Sequence, residues 1–271
     1  MTPGPPHATP PVDFLDTGAG ADAGTDAGTS AGDAHRIDFV ECPPPPLSAD
    51  EHREVDRRWA ATTAANPAAF DGPIVAVLAL GRPAPGRTAV RWARMTYRHR
   101  ALRALRPAGA VPGSVFVTVL QPTDEGLVLG RGSRTTAAPG RWSLPGGGAE
   151  PPPPGGSLDL AVLRRHAAVE LAEEVGLAVP ESELRLWGVS RGARYGSLGF
   201  YFLAPGVAAA RVRRCHAAVV AEERARGLVP ELDALAFAAP DAVPPDAAPE
   251  PYADYLPQLL ARYRANRDRA G

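Results

Sequence analysis

Leu144–Leu177 reads LPGGGAEPPPPGGSLDLAVLRRHAAVELAEEVGL: a glycine-rich loop, a Pro/Gly insert, and a helix ending in acids. Ser157 is placed to cap the helix, and Gly176 suits the C′ position that ends it. Glu170, Glu173 and Glu174 stand at i, i+3 and i+4 and share one face. Leu160, Leu163, Ala167, Leu171 and Val175 form an adjacent apolar stripe, so the helix can bury one side and present carboxylates beside it. The acids are badly placed for stability. Like charges at i, i+4 cost roughly 0.2–0.5 kcal/mol. Their position near the helix C-terminus, where the macrodipole disfavours anions, adds about 0.3–1 kcal/mol. A hard divalent cation such as Mg²⁺ or Mn²⁺ would remove the conflict. The Gly-Gly-Gly run lets backbone come close to such a site and offer a carbonyl oxygen. A solvated acidic helix end is the plain alternative.

Val169-Glu170-Leu171-Ala172-Glu173-Glu174-Val175-Gly176-Leu177 resembles the second half of the Nudix box, with eight of nine elements matching. Leu144-Pro145-Gly146-Gly147, with Trp142 upstream, resembles the loop that enters the box, and Glu150 the acid that often follows it. Two departures stand out. Val169 replaces the family's arginine, which orients the catalytic glutamates. The Pro151–Gly156 insert and a longer helix start lengthen the box, so its first glutamate falls at Ala161 or within the insert. Arg165, one turn before Val169, is the candidate substitute for the arginine.

The resemblance implies an α/β Nudix fold, an α/β/α sandwich with a mixed sheet. It also implies hydrolysis of a diphosphate bond with Mg²⁺ or Mn²⁺. Glu170 and Glu174 would be metal ligands, Glu173 a ligand or the holder of a metal-bound water, and Gly147 the carbonyl donor. A further catalytic glutamate from a later loop would be Glu231, with Glu222 and Glu223 as weaker candidates. A glutamate, Glu173 or Glu231, would take the proton of the attacking water. Arg131, Arg134 and Arg141 flank the loop and are candidate phosphate contacts, since a guanidinium fork suits phosphate oxygens; each also reads as an ordinary surface arginine. His166, one turn before Glu170, could assist as a base or serve only structurally.

A second resemblance lies upstream. Trp59, Asn66-Pro67-x-x-Phe70-Asp71-Gly72-Pro73 and Thr96-Tyr97-Arg98 are similar to the extension of the UDP-glucose pyrophosphatase branch, and Gly196–Leu203 to its downstream strand. That implies cleavage of a UDP-sugar to UMP and a sugar 1-phosphate, with Tyr97 as a substrate contact. The same aromatics could simply dock the extension. The rival reading is a non-catalytic nucleotide-binding or sensor module on a degenerate Nudix fold. A third is a partner-binding scaffold built on the N-terminal arm.

The chain has 271 residues, 45% of them hydrophobic, and a formal net charge of −1. That balance gives no electrostatic reason to expect nucleic acid or an anionic membrane as partner. There is no lysine, so any phosphate clamp must use arginine. Cys42 and Cys215 sit in no metal or disulfide spacing. No secretory signal or membrane span is read, and a cytoplasmic location is expected. Residues 1–45 are expected to be a disordered Pro/Gly/Ala-rich arm. Residues 46–108 should form an α/β extension packed on the core, 109–240 the Nudix domain, and 241–271 a linker and closing helix. Ser48 and Glu51 read as a capping box. Pro73–Leu80 and Thr88–Ala93 should be strands, and Tyr97–Leu105 a helix. Ser114–Leu120, Gly126–Leu129, Leu184–Ser190, Leu198–Leu203 and Ala234–Ala238 should also be strands.

Overall fold

The computed structural model describes residues 12–15, 36–239 and 252–270. In chain order the strands begin with β1 (Val12–Leu15) and β2 (Arg36–Glu41). Helix α1 (Ala49–Ala65), β3 (Pro73–Ala84) and β4 (Arg87–Thr96) follow, then a 3₁₀ helix at Tyr97–Ala104. The next stretch holds β5 (Gly113–Leu120), β6 (Pro122–Thr123), β7 (Gly126–Gly132), β8 (Trp142–Ser143) and β9 (Gly146–Gly148). Then come α2 (Leu160–Val175), β10 (Arg185–Gly192), β11 (Leu198–Leu203), α3 (Ala209–Ala225), β12 (Leu232–Ala238) and α4 (Leu256–Ala270).

The apolar run SVFVTVL becomes β5, the strand on which the rest is built. It pairs in parallel with β11, Leu198 opposite Val115 through Leu203 opposite Leu120, and antiparallel with β3 and β9. The larger sheet runs β1-β10-β11-β5-β3-β4-β2, with β9 added on β5; the smaller holds β12-β7-β6 with β8 on β7. The period-2 alternation of strand side chains divides the core. Val115, Val117, Val119, Phe200 and Phe202 meet α2 through Leu163, Ala167, Leu171 and Val175. On the opposite face, Phe116, Leu120 and Tyr201 meet Tyr255 and, in α4, Leu256, Leu259 and Tyr263. Helices thus cover both faces of a mixed sheet, as the expected α/β/α sandwich requires. A smaller core joins Val55 of α1 to Ala76, Met95, Leu102 and Val111, and docks the extension.

Ser48 and Glu51 form the expected capping box: Glu51 N–H donates to Ser48 Oγ (3.2 Å) and Ser48 N–H to Glu51 Oε2 (2.8 Å). Arg106 also pairs with the Glu51 carboxylate, tying this helix start to the chain after the 3₁₀ helix. Ser48→Ala is expected to lower stability by about 1 kcal/mol, read from the urea midpoint at constant m-value.

Several expectations change. Val12–Leu15 and Arg36–Glu41 fall in the arm read as disordered, yet both are strands. β1 pairs antiparallel with β10, Val12 and Leu15 are buried, and Phe14 packs on Trp187 and Tyr201. VDFL is an apolar island in a stretch of small residues; averaging over that stretch hides four residues that the sheet edge can bury. β2 adds to β4 in parallel. The helix expected over Tyr97–Leu105 is present, as a 3₁₀ helix over Tyr97–Ala104. Asp159, not Ser157, caps α2, accepting from Val162 N–H at 2.8 Å, because Leu158 must first turn inward to be buried. Gly176 ends the helix at φ 75°, a left-handed conformation that glycine adopts without strain. The rest of the arm and Pro240–Pro251, read as a linker, lie outside the described residues. Among the described residues, no helix is long and apolar enough to cross a membrane.

Candidate metal centre

The glycine loop is sandwiched between β5 and α2, and this brings the acids to the backbone. β9 pairs with β5, Gly146 opposite Thr118 and Gly147 opposite Val117. Gly146 N–H donates to Glu174 Oε2 at 2.7 Å. Gly146 has φ 145°, and a Cβ there would run into the Val117 carbonyl and Thr118. A Cβ on Gly147 would collide with the Glu170 carboxylate, so bare backbone is needed for that carboxylate to lie against the loop.

Glu170 and Glu174 are therefore carboxylates packed under a loop, one turn apart. Burial pushes Glu170 up to about 7, helped by the charges of Glu231, Glu173 and Glu150. Burial raises Glu174 well above the usual carboxylate range, with Glu170, Glu231 and Glu173 adding to it and the Gly146 N–H opposing it. Glu231 is raised by the atoms packed around it and by Glu223 and Glu173. Glu173 itself is exposed at the edge of the group. Among the described residues none of these four glutamates makes an ion pair, so their mutual repulsion is not offset by an arginine.

The structure sets Glu170 and Glu174 against the Gly146–Gly147 backbone, with Glu173 and Glu231 near enough to act on them electrostatically. Glu231 stands just before β12, and its carbonyl accepts from Ser133 N–H at 2.8 Å, which ties the loop carrying Arg134 to the same corner. Arg134 and Arg141 are exposed. Arg131 is engaged elsewhere: its Nε donates to Asp233 at 2.7 Å and its guanidinium lies over Trp142. Tyr97 meets Trp59 and Arg100 in the extension and lines a cavity that includes none of the acids. Arg165 does not substitute for the missing box arginine; it pairs with Glu181 at 3.2 Å. Val169 is 46% exposed, so no guanidinium of α2 reaches across the acids from that position. His166 Nδ1 accepts from Glu150 N–H at 3.3 Å and fixes the exit of the glycine loop on α2, a structural role.

Sequence reading missed Tyr255. Its hydroxyl accepts from Leu144 N–H at 3.2 Å, it is buried, and it lies near enough to Glu174 to feel its charge. The chain around it also closes on the loop entrance, with Ala253 N–H donating to the Trp142 carbonyl at 2.9 Å. The available signal was the spacing of Tyr252, Tyr255, Leu259 and Tyr263, an apolar stripe that needed a partner.

The donor set suits a hard divalent cation: carboxylates, a backbone carbonyl, and no thiol or imidazole in the group. Two of the acids, Glu170 and Glu174, are half-buried without a counter-charge among the described residues, the condition such a cation relieves. Among the described residues, no three His, Cys, Asp or Glu side chains are already gathered closely enough to hold a metal ion. Glu173 and Glu231 would have to rotate inward to complete the set.

The NUDIX domain profile matches residues 111–259, more than half of the chain. The chain belongs to the Nudix family. In this Nudix protein the matched region spans β5 to α4, including the glycine loop, α2 and Tyr255. Nudix proteins are hydrolases of diphosphate bonds that generally use a divalent metal such as Mg²⁺. Among solved structures, the chain is similar to a MutT protein from Methanosarcina mazei Go1, at 18% identity and a TM-score of 0.37, over 58% of this chain and 95% of that one. No curated protein matches.

Proposed function

We propose that the chain is a Nudix pyrophosphohydrolase that uses Mg²⁺ or Mn²⁺ to cleave a nucleoside diphosphate linked to a second group, with a UDP-sugar as the leading substrate. The observation that carries this reading is the pair of half-buried carboxylates, Glu170 and Glu174, held against the Gly146–Gly147 backbone with no ion pair among the described residues. Glu170, Glu174 and the Gly147 carbonyl would hold the cation, with Glu173 as a further ligand. Bound there, the cation supplies Lewis acidity and neutralises diphosphate charge.

The remaining work falls to the chain. Gly146 N–H fixes one oxygen of Glu174 and leaves the other to a ligand. Glu231, or Glu173, accepts the proton of the water that attacks phosphorus, and the bridging P–O bond breaks to release a monophosphate. A raised pKa suits Glu231 to that task, since a base poised nearer neutrality takes a proton more readily. Arg134 and Arg141 are free to move onto the phosphates. Arg131, already on Asp233, instead braces β7 against β12. The UDP-sugar assignment rests on the upstream resemblance through Trp59, Phe70 and Tyr97.

One observation favours a second reading, a non-catalytic nucleotide-binding module: Val169 and the diverted Arg165 leave the acids without an orienting guanidinium. A Mg²⁺-dependent hydrolysis screen over UDP-sugars, ADP-ribose, dinucleotides and nucleoside triphosphates separates the two. UMP and a sugar 1-phosphate are expected from UDP-sugars. Turnover of ADP-ribose with none of UDP-sugars would remove the branch assignment. Tight nucleotide binding without any turnover would favour the second reading.

A further inference from the structure

The extension contains a cavity of about 330 Å³ between α1 and the 3₁₀ helix. That volume lies at the lower end of the range for small-molecule sites. Arg58, Arg98, Arg100 and Arg103 line it, together with the rings of Trp59 and Tyr97, and no acid is among the lining residues. Two of the arginines are already neutralised. Arg58 pairs with Glu54 at 2.7 Å, and Arg98 with Asp56 and Asp71, each at 3.2 Å. The other two make no ion pair among the described residues. Arg100 lies 4.8 Å from the Tyr97 ring centroid and donates to its hydroxyl at 2.9 Å. Arg103 lies 4.4 Å from the Tyr195 ring centroid, and its buried Nε has no hydrogen-bond partner. Burial, with Arg100 and Arg194 nearby, depresses the Arg103 pKa.

Two guanidinium groups without an ion pair among the described residues, held on aromatic rings, call for an anion with several acceptor oxygens, and phosphate matches the arginine fork. Two rings line the same cavity: Trp59 and Tyr97 meet edge to face, with centroids 6.3 Å apart. A flat base can pack against such rings.

We infer that this cavity binds a nucleoside monophosphate, its phosphate on Arg100 and Arg103 and its base against Trp59 and Tyr97, at a site apart from the acidic cluster. No lining residue belongs to that cluster, so the inference stands whether or not the acids perform hydrolysis.

The test is calorimetric titration of the full chain in EDTA with UMP, AMP, inorganic phosphate and uridine. UMP or AMP is expected to bind saturably, with phosphate and uridine each at least about tenfold weaker, because each engages only half of the site. Affinity should be unchanged in Glu170→Gln/Glu174→Gln and fall at least about tenfold in Arg100→Ala. Arg103→Ala should do the same if its unfolding midpoint matches wild type; if it fails to fold, Arg100→Ala alone decides. Absence of saturable binding by either nucleotide would overturn the inference. So would unchanged affinity in Arg100→Ala, or loss of binding in the glutamate variant, which would place the ligand at the acids.

Discussion

Glu174→Gln is expected to lower kcat for diphosphate hydrolysis by roughly 1000-fold, about 4 kcal/mol of barrier, while the protein stays folded. The substitution is nearly isosteric. The amide oxygen can still accept from Gly146 N–H, so the loop should keep its place. What is lost is the negative charge offered to the cation. The charge is costly without metal, because Glu174 is packed under the loop beside Glu170 with no basic partner. Glu174→Gln should therefore be less active and, in EDTA, more stable than wild type. Both are checked on one preparation, by product release with Mg²⁺ and by urea unfolding without it. A stabilised, inactive variant marks a group kept for function against its cost in folding. An inactive and unfolded variant would instead make Glu174 a structural residue, and an active one would remove it from the metal centre.

The second large effect concerns pH. In the folded chain Glu170 is raised to about 7 from an ordinary value of 4.5, so the unfolded chain ionises first as pH rises. Below 4.5 the group is neutral in both states and costs nothing. Between about 4.5 and 7 the unfolded state gives up its proton while the folded state keeps it, and stability falls. Above 7 the loss levels off. Taken alone the shift corresponds to about 3 kcal/mol, and Glu174 acts in the same direction. Glu51 and Glu54, each lowered to about 2 by arginine partners, act oppositely, and in a separate window below their ordinary 4.5. Urea unfolding in EDTA should show a falling free energy from pH 4.5 to 7. The fall should shrink in Glu170→Gln, and it should disappear when Mg²⁺ is present. A flat or rising profile in EDTA would show that the acids are solvated and not strained.

Local physics made part of this readable from sequence. The acid face and apolar stripe of α2 follow from helical period alone, and Leu163, Ala167, Leu171 and Val175 are buried as that period requires. Ser48 with Glu51, and Gly176 at its left-handed φ, are decided within a few residues. The rest depends on partners distant in sequence. VDFL becomes a strand only because β10 offers an edge far along the chain. Tyr255 reaches Leu144 across more than a hundred residues, and no local pattern names that contact. Arg165 could be placed on the right side of α2 from spacing, but its diversion to Glu181 depends on how the chain folds back after Gly176. In sequence, Glu231 stands out only by its place before the last strand. Its electrostatic reach to Glu170 and Glu174 follows from β12 pairing with β7, a register fixed in three dimensions.

The most direct measurement is Mn²⁺ titration followed by electron paramagnetic resonance, comparing wild type with Glu170→Gln/Glu174→Gln. Saturable binding by wild type that weakens at least roughly 100-fold in the double variant is the expected result. Equal Mn²⁺ affinity in both proteins, or none in wild type, would mean that the α2 carboxylates do not hold the cation.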